Sequence, residues 1–375
     1  MAKFLRLSLA LLLFLTVAGS AAFFVLRRER VLQAEKSFER TPHAALYGEP
    51  RAGGLVECTL CPNRCVLDDG QYGRCRARKN IGGKLFSMVY GKIAAEHVDP
   101  IEKKPFFHVL PGTRAYSIAT PGCNMRCLFC QNWEISQSFP DTVATEEISP
   151  EEAVERAARS GASSIAFTYS EPVIAYEYVL ETARLAKARG LKTLMVSSGY
   201  IEAEPLRALL PFIDAYKVDL KAFRQEFYDR LTGGSLAPVL ETLKTIRQSG
   251  TWLEIVTLLI PGQNDSEEEI RELARWIFEN LGPDVPLHFS RFHPQFRLKN
   301  LPPTPVETVK RAREIALAEG LHYVYVGNIS FPDGETTFCP GSKEKAIERL
   351  SYFVTANHLK EGQCPDGEKI PGLWK

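Results

Sequence analysis

The sequence predicts an α/β protein whose main body is a partial (β/α) barrel, and two observations lead to this fold class. From residue 113 onward, short apolar runs alternate with amphipathic stretches, which is the pattern of repeated strand–helix units. Such units form a parallel sheet with right-handed crossovers. Because six or seven units follow one another, we expect a barrel rather than an open sheet, with its chemistry at the C-terminal ends of the strands.

Seven apolar runs are predicted to be strands, and the six stretches between them are predicted to be helices. The strands are expected at 115–119, 164–168, 192–197, 214–219, 252–260, 286–291 and 321–326. The helices are expected at 149–160, 174–189, 203–210, 237–249, 266–281 and 304–319. Two helix starts carry capping chemistry, because Ser149 precedes a proline and two glutamates and Ser266 precedes three glutamates.

The composition is that of an ordinary globular protein. The 375 residues carry a formal net charge of +1, with 45% hydrophobic and 24% charged residues, which excludes a disordered chain. A net charge so close to zero removes any electrostatic case for nucleic-acid binding. The sequence suggests a membrane anchor or signal segment (1–30), a linker (31–55), a cysteine-rich metal-binding module (56–112), the barrel (113–330) and a C-terminal extension (331–375).

Residues 7–26 contain no charged side chain, and about 20 apolar residues are enough for a helix to span a bilayer. Two basic residues precede this run and three follow it. A cleaved signal peptide is the alternative, with a cut among the small residues 18–22. We favour an uncleaved transmembrane helix with the catalytic body in the cytoplasm, because reduced cysteine clusters need a reducing compartment.

The sharpest motif is the loop 120–132, TPGCNMRCLFCQN, which directly follows the first predicted barrel strand. Its three cysteines, Cys123, Cys127 and Cys130, can hold three irons of a 4Fe–4S cluster. The fourth iron would then be free to bind a small molecule. The alternatives are a zinc site completed by a histidine, or buried cysteines without a ligand.

The spacing of these cysteines resembles the CxxxCxΦC signature of the radical S-adenosylmethionine (radical SAM) superfamily, with Phe129 as the aromatic residue. The resemblance implies that the amine and carboxylate of S-adenosylmethionine chelate the open iron. It also implies that an electron from the cluster breaks the sulfonium bond and yields a 5′-deoxyadenosyl radical. Phe129 is then expected to pack near the adenine.

Further cofactor-binding candidates share a position at the ends of later predicted strands. They are Glu171, Ser197, Ser198, Lys217, Asp219, Asn264 and His293. The resemblance implies that Glu171 holds the methionyl amine, although the Gly-Gly that usually precedes this glutamate is absent. For each of these residues a structural hydrogen bond is the alternative interpretation.

A second group of cysteines lies upstream of the barrel, at Cys58, Cys61, Cys65 and Cys75. Four thiolates close a tetrahedral zinc site and equally suit an auxiliary 4Fe–4S cluster. The sequence therefore predicts a second metal site and leaves the choice between zinc and iron–sulfur open.

With the loop 120–132, the four-cysteine segment and the stretch 90–105, the chain resembles the AmmeMemoRadiSam-system radical SAM enzymes, relatives of the pyruvate formate-lyase activating enzymes. The resemblance implies a partial (β/α)6-type TIM barrel, a 4Fe–4S cluster, S-adenosylmethionine and a reduced electron donor. It also suggests a protein or peptide substrate, with Memo-like or AMMECR1-like partners. Relatives often end in two CxxC pairs, but here Cys339 and Cys364 each stand alone, so we expect no zinc in the tail.

The leading functional hypothesis is therefore a radical SAM oxidoreductase of the activating-enzyme type. The main alternative is a membrane-tethered iron–sulfur electron-transfer protein without catalysis. An electron carrier usually gives its cluster a fourth cysteine, and none follows Cys130 closely in the sequence. A zinc-binding interaction protein is a third, weaker alternative.

Overall fold

The computed structural model of the chain describes residues 42–375, and its centre is an eight-stranded sheet. The strands are β1 (Ala95–Pro100), β2 (Arg114–Ala119), β3 (Ser164–Phe167), β4 (Lys192–Ser197), β5 (Ala215–Asp219), β6 (Trp252–Leu259), β7 (Leu287–Arg291) and β8 (Val324–Gly327). They pair in sequence order. Strands β2 to β8 are parallel, and β1 is antiparallel to β2 at one edge.

Each step between consecutive parallel strands contains one long helix. The helices are α1 (Pro150–Arg159), α2 (Tyr176–Ala188), α3 (Ala203–Leu209), α4 (Leu236–Ser249), α5 (Glu267–Leu281) and α6 (Val306–Ala318). The type and order of the seven predicted strands and six predicted helices are confirmed. The hydroxyls of Ser149 and Ser266 accept from backbone N–H groups three residues later, each at 3.2 Å, as the capping patterns predict.

The remaining helical segments are short. They are Ala52–Gly54, Ile101–Lys103, Trp133–Ser136, Pro172–Ala175, Leu210–Phe212, Gln225–Phe227, Tyr228–Thr232 and Pro332–Glu335. The remaining strands are His43–Ala44, Gly48–Pro50, Val56–Cys58, Val66–Leu67, Arg78–Ile81, Lys84–Ser87, Lys92–Ile93, Glu146–Glu147, Thr337–Phe338, Lys345–Leu350 and Phe353–Asn357.

The two faces of the sheet bury different sets of side chains. On β3, Ile165 and Phe167 belong to the large apolar core that includes the helices, whereas Ala166 belongs to a smaller cluster on the opposite face. This alternation is expected from the period of two along a strand. In the described part of the chain β8 pairs with β7 alone among the sheet strands, so the sheet does not close. The barrel is therefore partial, as the sequence predicts.

The N-terminal ends of the parallel strands are covered by residues 101–113 and by the C-terminal extension. Phe106 and Val109 pack with Ala166 in the smaller apolar cluster. The guanidinium of Arg349 lies over the ring of Phe107 at 4.2 Å and donates to its carbonyl oxygen at 2.7 Å. Apolar packing and a buried cation thus close this end of the barrel.

The two lone cysteines of the tail, Cys339 and Cys364, form a disulfide. Both are buried, in an apolar cluster with Phe107 and Tyr325. The sulfurs expected to stand separately are therefore joined to each other, and the bond fastens the tail beneath the barrel.

Residues 43–93 form a module of short strands that packs on the barrel. Arg78 is 1% exposed and pairs with Glu177 on α2, at 2.8 Å between Nη2 and Oε1. The same guanidinium also donates to the carbonyl oxygen of Leu46. A buried arginine paired with a carboxylate joins the module to the barrel, because a buried charge is tolerated only when it is paired.

The barrel sheet begins earlier in the chain than the sequence predicts. The strand β1 lies inside the segment 56–112 and extends the barrel sheet beyond the predicted boundary at 113. Its sequence, AEHVDP, carries three ionisable residues and no clear apolar alternation, which explains why it was not predicted.

Within 42–375 no helix is long and apolar enough to cross a membrane. The predicted anchor at 7–26 lies outside the described residues.

Candidate active site

The three-cysteine loop lies at the mouth of the barrel, directly after β2. Backbone hydrogen bonds hold it in place: the N–H of Gly122 donates to Ile135 O at 2.9 Å, and the N–H of Leu128 donates to Leu231 O at 2.9 Å. Inside the loop, the amide of Asn124 is fully buried and donates to Tyr200 O at 2.7 Å. The loop is therefore anchored to the segments that follow β4 and β5.

The three thiols of this loop are close enough to influence one another. Burial raises the pKa of the Cys127 thiol to about 12, although the nearby Lys221 opposes the shift. Burial also raises the pKa of Cys123, with Glu171 and Cys127 adding to the effect. Thiolates in such a site need a compensating cation, and bound iron supplies one.

The spacing of these thiols fits a cluster better than a single small ion. Within residues 42–375, the one group of three Cys, His or acidic ligand atoms within 4.8 Å of one another is Cys339, Cys364 and Asp366. At least one pair of the three loop sulfurs is therefore more than 4.8 Å apart. Tetrahedral zinc at 2.3 Å from each sulfur would draw them to about 3.8 Å. The donor set thus fits a 4Fe–4S cluster, whose thiolates bind different irons.

One nitrogen of a half-buried arginine beside the loop lacks an acceptor in the described part of the chain. The Nη1 atom of Arg76 is buried without a hydrogen-bond partner, and its guanidinium lies near the thiols of Cys123 and Cys75. Buried polar atoms are rarely left unpaired in folded proteins. An anionic group held by the cysteines would satisfy this guanidinium.

Glu171, at the end of β3, has its carboxylate fully engaged. Its Oε1 accepts from Ser197 Oγ at 2.6 Å and Val173 N at 3.2 Å, and its Oε2 accepts from the N–H and hydroxyl of Ser198 at 2.8 and 2.6 Å. These four bonds use all the lone pairs of the carboxylate. The structure brings Glu171, Ser197 and Ser198 together, and contact with a methionyl amine would require one hydroxyl to turn away. Their role with the cofactor stays a prediction.

At the end of β5, Asp219 lies between two lysines. It accepts from Lys217 and, at 2.6 Å, from Lys221. Burial opposes ionisation, but the two ammonium groups hold the pKa of Asp219 well below its ordinary value. Although burial lowers the pKa of Lys221, Asp219 and the thiols of Cys127 and Cys130 raise it overall. A positive charge therefore lies beside the cysteine loop.

The other three candidates differ in their surroundings. Phe129 is 6% exposed and packs against Phe227 at 5.8 Å between ring centres. The side chain of Asn264 accepts from Ile260 N and donates to the carbonyl oxygens of Lys221 and Leu258. It therefore braces the loop after β6. His293 is exposed, in the segment after β7. Their roles with the cofactor also stay predictions.

A polar group inside the barrel, beside the N-terminal end of β2, was not among the candidate site residues of the sequence. Asp99 on β1 accepts from Lys104 and from the phenol of Tyr169, and the Nζ of Lys104 lies 3.3 Å from that phenol. Burial lowers the pKa of Lys104 to about 8, although Asp99 opposes the shift. Tyr169 has a left-handed backbone, with φ +65°. Tyr169 is 65 positions from Lys104 and 70 from Asp99 in the chain, so no local pattern could have joined it to them.

The four cysteines of the module, Cys58, Cys61, Cys65 and Cys75, line one cavity next to the loop. Three of them are less than a tenth exposed. Burial raises the pKa of Cys75 to about 11 and raises those of Cys58 and Cys61 as well. All seven cysteines of the two groups are free thiols.

The fold and the site together define a partial (β/α) barrel with three free thiols at the C-terminal ends of its parallel strands, a donor set that fits an iron–sulfur enzyme. The sequence profile of the radical SAM superfamily matches residues 117–276. An uncharacterized protein of Methanocaldococcus jannaschii is 43% identical over 329 residues, which cover 87% of this chain and 98% of that protein.

Two further comparisons are more distant. Pyruvate formate-lyase 1-activating enzyme of Escherichia coli K12 is 24% identical over 209 residues, 52% of this chain and 85% of that enzyme. The crystal structure of a radical SAM methyltransferase from Sphaerobacter thermophilus is similar over 60% of this chain and 70% of that chain, with a TM-score of 0.47 and 19% identity. The chain belongs to the radical SAM superfamily, is an enzyme of that class, and is homologous to glycyl-radical activating enzymes. Family membership implies a 4Fe–4S cluster and S-adenosylmethionine.

Proposed function

We propose that this protein cleaves S-adenosylmethionine reductively and uses the product radical to remove a hydrogen atom from a substrate. One observation carries the proposal: three free thiols stand together on the loop after β2, and the next cysteine in the chain is Cys339, which is in a disulfide. When bound, a 4Fe–4S cluster supplies the electron that converts S-adenosylmethionine to methionine and a 5′-deoxyadenosyl radical.

The residues around the loop would bind the cluster and offset its negative charge. Cys123, Cys127 and Cys130 would be the three ligands, which leaves one coordination position for the methionyl group. Lys221 lies beside Cys127 and Cys130 and offsets their negative charge, and Asp219 fixes the position of Lys221. The guanidinium of Arg76 lies near Cys123 with one nitrogen free to donate.

The remaining contacts to the cofactor are proposed at the strand ends around the mouth. Ser197, Ser198 and Lys217 are buried there, and Asn264 orders the loop after β6, whose backbone would meet the adenine. Phe129 would flank the adenine from the cysteine loop. Because several strands contribute to the mouth, these groups converge on one place without being neighbours in sequence.

The test is anaerobic reconstitution of the chain with iron and sulfide, followed by assay of 5′-deoxyadenosine in the presence of dithionite and S-adenosylmethionine. Wild-type protein is expected to form the product, and a Cys123→Ala/Cys127→Ala/Cys130→Ala variant is expected to form none. A Cys339→Ala/Cys364→Ala variant, changed far from the mouth, should retain the activity. Well-reconstituted wild-type protein that forms no product would refute the proposal.

For the substrate, we propose a protein or peptide. The support is homology to enzymes named for activating other proteins, among them pyruvate formate-lyase-activating enzyme of Clostridium pasteurianum, 26% identical over 176 residues. The resemblance to the AmmeMemoRadiSam system makes Memo-like and AMMECR1-like proteins the first partners to try. If such a partner is the substrate, its deuterated form will transfer deuterium into 5′-deoxyadenosine. Unlabelled product in the presence of every partner would exclude these proteins as hydrogen donors.

We also propose that the four-cysteine module binds a second metal group, zinc or an iron–sulfur cluster. Its support is the shared cavity of four free thiols, since four cysteines are the ligand set of structural zinc sites and of iron–sulfur clusters. Metal analysis of a Cys58→Ala/Cys61→Ala variant against wild type tests this. Equal metal content in both would contradict it.

We further propose that residues 7–26 anchor the protein in a membrane with the body in the cytoplasm. The support is the uncharged run with basic residues after it. A C-terminal reporter that is active only in a reducing compartment should be active, and the mature protein should retain its N-terminal peptide by mass spectrometry. Loss of that peptide would favour a cleaved signal sequence instead.

A further inference from the structure

The cavity in the four-cysteine module is shaped by a residue without a side chain. A Cβ atom on Gly73 would lie 3.6 Å from Cys75 Sγ and 3.9 Å from Cys65 Sγ, in van der Waals contact with both sulfurs. Gly73 does not have a left-handed backbone, so its glycine is not explained by backbone conformation. The space that it leaves belongs to the cavity lined by all four cysteines.

The sulfurs around this cavity are spread more widely than zinc requires. In the described part of the chain, no three ligand atoms of the module come within 4.8 Å of one another. Four thiolates on one zinc ion would lie about 3.8 Å apart. A 4Fe–4S cluster binds each thiolate through a different iron and therefore holds them farther apart.

Hydrogen-bond donors already point at the sulfurs. The backbone N–H of Arg74 donates to Cys65 Sγ at 3.4 Å, and Asn63 Nδ2 lies 3.7 Å from Cys61 Sγ. Backbone N–H groups also reach Cys58 and Cys75, from Leu60 and from residues 77–78. Such donors stabilise ligated thiolates and tune the potential of an iron–sulfur cluster.

We propose that Cys58, Cys61, Cys65 and Cys75 bind a second 4Fe–4S cluster, closed on all four irons by protein thiolates, and that this cluster is a one-electron carrier for the neighbouring loop. The carrier role rests on the proposed function of that loop, whereas the presence of the cluster does not. The wide spacing of the sulfurs and the space beside Gly73 select a cluster over zinc.

The module and the loop are in direct contact. A Cβ atom at Gly122, which precedes Cys123, would lie 2.5 Å from the carbonyl oxygen of Cys75. The Nδ2 of Asn63 donates to Asn124 O at 2.8 Å, so one side chain touches both cysteine groups. Arg76 also lies near thiols of both groups. An electron on the module would therefore have a short path to the loop.

The redox step is a single electron transfer. A reduced low-potential flavin or iron–sulfur protein loses one electron, and the module cluster gains it. No bond forms or breaks. Because four cysteines close the cluster, S-adenosylmethionine has no iron to bind there, and the two cysteine groups should respond differently to it.

The first experiment measures metal in the full-length chain with the loop ligands removed. In the Cys123→Ala/Cys127→Ala/Cys130→Ala variant, anaerobic reconstitution is expected to leave about four iron and four sulfide per chain, with little zinc. One zinc per chain without iron would overturn the proposal in favour of a zinc staple, and absence of both metals would overturn it altogether. Adding Cys58→Ala/Cys61→Ala to the triple variant is the matched control and should remove the iron.

The second experiment uses wild-type protein and does not depend on the folding of any variant. Electron paramagnetic resonance of the dithionite-reduced chain should show two cluster signals, of which S-adenosylmethionine shifts one and leaves the other unchanged. A single signal that shifts completely would refute the second cluster. An unshifted signal without any 5′-deoxyadenosine would retain the second cluster and refute the proposed function of the loop instead, so the two failures are distinguishable.

Discussion

The four-cysteine module and the three-cysteine loop lie in contact, yet they present their thiols in different ways. In the module, four thiols line one cavity within short strands and turns. In the loop, three thiols share their surroundings with the ammonium group of Lys221 and the guanidinium of Arg76. Four thiols would occupy all the positions at which a 4Fe–4S cluster binds protein. Three thiols would leave one iron free to bind a small molecule. The number of thiols is therefore the difference on which the two proposed roles, a carrier and a reactive site, depend.

The largest effect should come from removing one ligand of the loop. Cys127→Ala should lower the rate of S-adenosylmethionine cleavage to less than roughly a thousandth of wild type, because the proposed 4Fe–4S cluster would lose one of its three cysteine ligands. The measurement is 5′-deoxyadenosine by liquid chromatography. The iron bound by the four-cysteine module should remain in this variant, which would show that the two cysteine groups bind metal independently. Unchanged activity would show that the loop is not the reactive site.

The second prediction concerns the charges beside the loop. Asp219→Asn leaves Lys217 and Lys221 without their counter-ion, and the free energy of unfolding should fall by about 2–4 kcal/mol. Because the pKa of Asp219 is lowered in the folded state, its stabilisation is present above its ordinary pKa and is lost as the pH falls below it. Anaerobic denaturant unfolding between pH 7 and pH 3 measures this.

For this variant, the stability difference from wild type should shrink at the acidic end of that range. Asp229→Asn, at an exposed neighbour that pairs with Gln225, is the control and should change stability little. A difference that grows as the pH falls would contradict the assignment of Asp219 as the counter-ion.

The third prediction tests the contact between the two regions. Gly122→Ala adds a methyl group 2.5 Å from the carbonyl oxygen of Cys75 at a residue with φ +99°. It should cost about 2–3 kcal/mol, because overpacking and backbone strain add together. Gly161→Ala has a similar left-handed φ of +70° but open space around it, so it should show the backbone cost alone, about 1 kcal/mol. Equal losses in both would deny that the contact is tight.

The smallest effect is expected from Asn63→Ala, which removes the amide that bridges the two regions. The loss of its bond to Asn124 O should lower stability by about 1 kcal/mol. Asn280→Ala removes an exposed amide that bonds within its own helix and serves as the control. Cleavage driven by a reduced flavin protein should slow more than cleavage driven by dithionite. An equal slowing would place the bridge outside the electron path.

Most of the barrel could be predicted from the sequence because its strands and helices carry strong local periodicity. The apolar run at 192–197 coincides with β4, and the capping residues at Ser149 and Ser266 mark the helix starts. The strand β1 was not predicted because its charged side chains form hydrogen bonds inside the barrel and at the edge of the sheet. Its sequence therefore shows no apolar face. Asp99 accepts from Lys104, and Glu96 accepts from Tyr116 at 2.6 Å.

The candidate site was predictable only where its residues are neighbours in the chain. The cysteines of each group are close in sequence, so their spacing could be recognised. The group of Asp99, Lys104 and Tyr169 forms only when β1 and β3 pair on either side of β2, and the lysine beside Cys127 comes from the end of β5. Glu171 shows the opposite limit: its position was predicted, but its four hydrogen-bond donors were not visible in the sequence.

The covering of the N-terminal ends of the strands has a consequence for how anything reaches the interior. Phe107, Arg349 and the disulfide of the tail block passage along the barrel axis. The polypeptide substrate proposed above would therefore enter and leave on the cysteine side rather than thread along the barrel axis. A chain terminus or a tightly bent loop of such a substrate would be the part that presents a hydrogen atom deep inside. A straight segment of helix or an extended strand in the middle of a folded partner would have to unfold locally first.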